Sequence, residues 1–179
     1  MSNADDGARP FPNSYWVRPR QLLAGEYPGP MNADETRRRL RQLLEHGVTF
    51  FLDLTHEAEL KSYALLLQDE AAVLRRPAEY QRMPVQDLTV PAVDAMRRIL
   101  DQLDVAFTAG HIVYVHCWAG IGRTGAVVGC HLARHGVAGS DALDRIRQLR
   151  RVMPLAYSSR MSPETEEQRQ MVLNWPAGL

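Results

Sequence analysis

The stretch His116-Cys117-Trp118-Ala119-Gly120-Ile121-Gly122-Arg123-Thr124-Gly125 lies between a short β-rich run, His111 to His116 (HIVYVH), and a helix-forming run from Thr124 to His135. Residues Cys117 to Arg123 must therefore carry the chain from a strand into a helix. Gly120 and Gly122 remove side chains and permit backbone angles closed to other residues. The N–H groups of such a turn can converge as an anion nest, and the following helix adds its positive end. Arg123 contributes a planar fork that can hold two oxygens of one anion. Surroundings of this kind favour the thiolate form of a cysteine, which makes Cys117 the expected nucleophile beneath a bound anion. The alternative, a small buried core residue, leaves the flanking Gly, Arg and Thr without a purpose.

Working outward, strand and helix signals alternate. Asn32-Ala33-Asp34-Glu35 has the capping-box pattern, and the helix it opens runs to about His46, with Gly47 as its stop. Val48 to Leu54 is an apolar run of strand length. Ser62 to Leu74 is read as a helix, Glu79 to Val85 as a strand, and Pro91 to Phe107 as a helix. A helix opened by Ser140 runs to about Val152. Ser162-Pro163 is read as an N-cap with proline at the first helical position, opening a last helix. The expected fold is α/β, with a central, mainly parallel, twisted sheet flanked by helices and the phosphate-type loop between a strand and a helix. Residues 1–14 are expected to be a disordered lead-in and residues 15–179 a single domain, within the usual size range.

Composition narrows the function classes. The chain has 179 residues, 45% of them hydrophobic, and a formal net charge of zero. A protein that coats nucleic acid or is steered to membranes usually carries a basic excess. No run is apolar and long enough to span a bilayer, and Met1 to Pro10 lacks the apolar stretch of a signal peptide. No nucleic-acid partner and no membrane insertion are expected. The two cysteines, Cys117 and Cys130, are separated by a helix that would hold them about 20 Å apart, too far for a disulfide. A reducing, cytoplasmic location fits.

HCWAGIGRTG resembles the Cys-X5-Arg phosphate loop of the cysteine-dependent protein tyrosine phosphatase superfamily, in its dual-specificity branch. The likeness extends from about Tyr15 to Trp175 and is most specific in the loop. It implies a two-step reaction in which Cys117 attacks phosphorus, a phosphocysteine forms and water releases phosphate. No metal or other cofactor enters that scheme. Backbone groups of Trp118, Ala119, Gly120, Ile121 and Gly122, with Arg123, would bind the phosphate. Expulsion of an alkoxide or phenoxide needs a proton donor. Asp87, just after a strand and thirty positions before Cys117, matches the family's general-acid loop, with Asp53 as the alternative. Thr124 is placed to donate a hydrogen bond to the cysteine sulfur, or to cap the helix. His116 is expected to hydrogen-bond the loop, as the resemblance implies. Gln168 matches a glutamine that positions water in tyrosine phosphatases, with a solvated helix position as the alternative.

Other features read as structural. His131 and His135 have metal-ligand spacing but lack an evident third ligand. Arg37, Arg38, Arg39 and Arg41 form a solvated helix face. With one cation, Arg123, the loop suits a single phosphoryl group. The expected partner is a phosphorylated protein, with phosphotyrosine favoured because phenoxide is the easier leaving group. A phosphoinositide or small-molecule phosphatase and a catalytically silent phosphate-binding module are the alternatives.

Overall fold

Alternation along the strands decides which face of the sheet each residue serves. Phe50 and Leu52 join one apolar cluster while Phe51 joins another, and Val113 and Val115 likewise part company with Tyr114. The structure, a computed structural model, describes residues 8–29 and 32–179. Its five strands are β1 (Ser14–Arg18), β2 (Leu22–Gly25), β3 (Phe50–Asp53), β4 (Glu79–Arg82) and β5 (Val113–His116). They lie in the order β1-β2-β5-β3-β4. Only the β1–β2 pair is antiparallel; the other three pairs are parallel. This is the expected mainly parallel α/β sheet.

Two helices, α1 (Ala33–Glu45) and α2 (Ala64–Leu74), cover one face through Leu40, Leu43, Leu44, Tyr63 and Leu67. The other face is covered by α3 (Val93–Thr108), α4 (Gly122–Arg134), α5 (Gly139–Leu149) and α7 (Glu166–Leu173), with the short α6 (Leu155–Ser158) beyond α5. Both faces of the central β5 are therefore dry, as its unbroken apolar run requires. The phosphate loop leaves the C-terminal end of β5, where open parallel sheets generally bind ligands. No helix among the described residues is long and apolar enough to cross a membrane.

Several local expectations change. Residues 1–7 of the expected lead-in lie outside the described residues. In the described remainder, Phe11 packs edge-on against Tyr114, with ring centroids 6.0 Å apart, and Trp16 Nε1 donates to the Ala8 carbonyl. Asn32 caps α1 by accepting from Glu35 N, but the Glu35 carboxylate turns to Arg38 and Arg39. The arginine face of α1 is not simply solvated: Arg37 and Arg41 both pair with Glu70 of α2, and Arg39 pairs with Glu26. The last helix begins at Glu166, not at Pro163. Its cap is Thr165, whose side chain accepts from Gln168 N while Gln168 reaches back to the Thr165 N–H. A full capping box fixes a helix start more firmly than proline at the first position.

Candidate active site

The phosphate loop is shaped from outside. Its carbonyls are held by groups behind it. His116 Nδ1 lies 3.3 Å from the Cys117 carbonyl oxygen. Tyr27 N donates to the Trp118 carbonyl at 2.8 Å. Ser162 Oγ donates to the Ile121 carbonyl at 2.7 Å. In a trans peptide the next N–H points away from the carbonyl, so turning these oxygens outward turns N–H groups inward. Among the described residues, the N–H groups of Trp118, Ala119, Gly120 and Ile121 have no backbone acceptor. Unpaired N–H groups at successive positions are what an anion nest requires.

Gly120 has φ +68°, and a Cβ there would lie 2.3 Å from the carbonyl carbon and oxygen of Gly25. The loop is pressed directly onto the end of β2, which explains this glycine on two counts. Gly120→Ala combines a left-handed backbone with a clash against main chain and is expected to cost about 3 kcal/mol. For a chain of this size that is a fall in Tm of about 6–12 °C, read by thermal unfolding, together with loss of phosphate binding.

His116 is completely buried, and its Nε2 lies 2.6 Å from Tyr63 Oη. A carbonyl can only accept, so His116 Nδ1 is the donor to Cys117 O. Nε2 then accepts from the Tyr63 hydroxyl. Burial lowers the pKa of His116, consistent with a neutral imidazole. Asp53 is also completely buried, and its carboxylate accepts from Thr55 N and Oγ1, Tyr80 Oη and Arg82. Burial pushes the Asp53 carboxyl up, but adjacent His116 and the bonds from Thr55 and Tyr80 bring it below the ordinary value. Asp53 is thus engaged by the scaffold on both carboxylate oxygens.

Arg123 is 2% exposed. Its Nη1 donates to Glu59 Oε2 at 2.8 Å and to the Val85 carbonyl at 3.0 Å. Its Nη2 meets Glu59 Oε1 at 2.5 Å and Asp87 Oδ1 at 2.9 Å. Its Nε is buried and has no partner, which leaves one fixed donor uncommitted. The hydrogen bond from Arg123 holds the Glu59 carboxyl below its usual range. The Asp87 side chain is half-exposed.

Cys117, Trp118, Ala119, Gly122, Arg123 and Asp87 line one pocket of about 230 Å³. Leu88, Arg160 and Glu164 complete its wall. Gly120 and Ile121 belong to the loop but lie outside that lining. Thr124 lies behind it, its Oγ1 buried and without a partner; the expected bond to the Cys117 sulfur is not formed. Gln168 is neither solvated nor open to the pocket. It is completely buried. Its Oε1 accepts from Glu164 N and Thr165 N, and its Nε2 donates to the Thr89 carbonyl at 2.9 Å. It ties the loop carrying Asp87 to the start of α7.

Glu59, Tyr63 and Arg160 escaped the sequence reading. Glu59 follows the C-terminal end of β3, where ligands gather in parallel sheets, but nothing local distinguishes it from Glu57. The missing third group for His131 and His135 is Asp104. That carboxylate already accepts from Arg134 at 2.8 Å, and burial lowers His131 to about 4. Cys130 is fully buried, its thiol pushed up to about 12 by burial, and neither cysteine is in a disulfide.

Residues 26–137 match the family model described as polymorphic toxin system, DSP-PTPase phosphatase. The tyrosine-protein phosphatase CDC14 of Candida albicans is 28% identical over 85 residues, 47% of this chain and 16% of that protein. The Arabidopsis thaliana protein named phosphatidylinositol 3,4,5-trisphosphate 3-phosphatase and protein-tyrosine-phosphatase PTEN1 is 27% identical over 126 residues, 69% of this chain and 29% of its own length. The chain thus spans less than a third of either curated relative. The crystal structure of Tk-PTP in the active form superposes with a TM-score of 0.71 at 21% identity, covering 90% of this chain and 95% of that one.

Proposed function

We propose, from the premise that this chain belongs to the DSP-PTPase phosphatase family of polymorphic toxin systems, that it is a cysteine-dependent phosphoprotein phosphatase working through Cys117, Arg123 and Asp87. The observation that carries the reading is the meeting of these three residues in one pocket beneath the unpaired N–H groups of the loop.

In the first step the Cys117 sulfur donates an electron pair to phosphorus as the ester P–O bond breaks. The leaving oxygen takes the Asp87 proton. Loop N–H groups and Arg123 Nε hold the three equatorial oxygens, whose charge changes through the transition state. In the second step Asp87, now a carboxylate, accepts a proton from water as its oxygen attacks phosphorus. The P–S bond breaks, the thiolate returns, and inorganic phosphate leaves. Thr124 Oγ1, buried and without a partner, is a donor not committed elsewhere and would serve the departing sulfur only once it turns toward it. Glu59 orients Arg123, His116 holds the Cys117 carbonyl outward, and Gln168 steadies the acid loop. These are positioning roles. The substrate reading is a phosphorylated protein, phosphotyrosine before phosphoserine or phosphothreonine. A reducing cytoplasm suits a nucleophile that must remain a thiol.

The test is hydrolysis of p-nitrophenyl phosphate with EDTA and reductant present, followed by matched phosphopeptides and inositol phosphates. EDTA-resistant turnover with phosphotyrosine peptides leading is expected. Far faster turnover of an inositol phosphate would shift the reading to the activity in the Arabidopsis relative's name. Phosphate binding without turnover would make the chain a binding module. Asp87→Asn separates the acid from the rest. It should lower kcat about 100-fold on phenyl phosphate, whose leaving group needs the proton. On p-nitrophenyl phosphate, whose phenolate leaves unaided, the loss should be about tenfold or less. Equal losses on both esters would remove Asp87 from proton transfer.

A further inference from the structure

Sequence spacing leaves His131 and His135 as a pair without a third ligand, and the packing of α3 against α4 supplies one. His131 sits in the last turn of α4 and His135 is its C-cap, with ring centroids 4.4 Å apart. Asp104 meets them from α3, where Phe107 packs edge-on against His131. One ligand atom from each of the three side chains lies within 4.8 Å of the other two. No other three His, Cys, Asp or Glu side chains among the described residues come together in this way.

Hydrogen bonding leaves these groups poised for a cation. His135 Nδ1 lies 2.9 Å from the His131 carbonyl oxygen. That oxygen can only accept, so Nδ1 carries the proton, and in the neutral ring Nε2 presents a lone pair. It faces Asp104 Oδ1, 3.5 Å away, which is itself an acceptor. Two acceptors face to face need a positive centre between them, a proton or a metal ion. A backbone bond on the far nitrogen is also how metal-binding histidines are oriented. Asp104 Oδ2 is held by Arg134 at 2.8 Å, and Arg134 is balanced by Asp101 at 2.7 Å, so Oδ1 stays available. His131 is 3% exposed, and its Nδ1 is buried without a partner, so the scaffold leaves that nitrogen unused. Arg18, which makes no ion pair among the described residues, lies near His131 and opposes a bound cation.

We propose that Asp104, His131 and His135 bind a divalent ion of the zinc class that staples α3 to α4, at a site separate from the phosphate loop. Two imidazoles and a carboxylate are the donor set of such ions. His135 and Asp104 are partly exposed, which gives water the fourth position. Tetrahedral coordination with Zn–N bonds of about 2.0–2.1 Å sets ligand atoms roughly 3.3 Å apart, so the side chains close onto the ion by about an ångström. The helix starts at Gly122, beside the phosphate loop, and His131 lies about 13 Å further along its axis. No step of the hydrolysis runs through the ion. Its effect is on the fold, because an ion that binds only the folded chain stabilises it by mass action.

The test uses tag-free, EDTA-treated Cys117→Ser protein, in which the thiolate cannot compete for metal. Zn²⁺ binding is titrated by calorimetry, Co²⁺ binding by its visible spectrum, and thermal unfolding is followed with and without Zn²⁺. One equivalent of Zn²⁺ per chain should bind, and Co²⁺ should show the intense bands of a four-coordinate site. Zn²⁺ at about a hundredfold over its Kd should raise Tm by about 5–10 °C. Asp104→Asn and His135→Gln change partly exposed side chains and should leave the metal-free Tm within about 2 °C of its starting value. Each should weaken Zn²⁺ binding at least about a hundredfold, the upper range for losing a mere outer-shell partner. Arg18→Gln should tighten binding about two- to fivefold at low salt, a gain that misfolding cannot produce. No saturable binding, binding that both ligand variants retain, or a Zn²⁺ effect that appears only when Cys117 is present would each overturn the site. None of these readouts depends on turnover, so the phosphatase reading stands or falls separately.

Discussion

Cys117→Ser is expected to lower kcat on p-nitrophenyl phosphate by about five orders of magnitude, with phosphate still bound and the fold intact. The substitution exchanges one atom in a buried position, so the loop and its outward-held carbonyls should persist. What disappears is a nucleophile that works without a base. A serine hydroxyl needs a neighbour to take its proton, and the pocket has none to spare. His116 already spends Nδ1 on the Cys117 carbonyl and Nε2 on Tyr63. Asp53 is saturated by Thr55, Tyr80 and Arg82. Of the carboxyls in the pocket wall, Glu164 is paired with Arg160 at 2.7 Å, and Asp87 is bound to Arg123 at 2.9 Å and is assigned to the leaving group. Steady-state kinetics with EDTA, beside a phosphate titration followed by thermal shift, measures both halves. Residual turnover within a hundredfold of wild type would dismiss cysteine chemistry.

How much of this was legible in the sequence follows from the range of each interaction. The phosphate loop was, because its strand, its glycines, Arg123 and the following helix are contiguous, and the anion nest is a local backbone property. The sheet was as well: runs such as Val48 to Leu54 and His111 to His116 are too apolar for anything but a strand covered on both faces. Glu59 was not, since it meets Arg123 across 64 positions and only the adjacency of β3 and β5 brings them together. Tyr63 reaches His116 across 53 positions for the same reason. Arg160 was hidden differently. Nothing in Ser159-Arg160-Met161 marks a pocket residue until Arg150 and Ser162 are seen fastening that segment to the loop. Gln168 was visible but misplaced, because a capping box needs Thr165 as its start, and Ser162-Pro163 offered a competing one.

Arg123→Lys should be nearly as damaging as loss of the nucleophile, with kcat/KM down about 10³-fold or more. The change keeps the charge, so simple electrostatics predicts little. Geometry predicts much, because Arg123 uses its whole fork. Two nitrogens bind both oxygens of Glu59, Nη1 also holds the Val85 carbonyl, Nη2 also holds Asp87, and Nε is left without a partner for the proposed phosphate contact. Val85 precedes the acid by two residues, so the guanidinium fixes the acid loop and the phosphate site with one rigid plane. A lysine ammonium is a point with three donors and no plane. It can pair with Glu59 or reach a phosphate oxygen, but it cannot orient both and hold Val85 as well. The loss should therefore appear in kcat and in inhibition by inorganic phosphate together. Glu59→Gln, which removes the counter-charge and turns one of the two acceptors facing the fork into a donor, should cost about tenfold. Arg123→Lys activity within tenfold of wild type would mean that charge alone suffices, and that the bidentate hold on Glu59 plays no part in preparing the site.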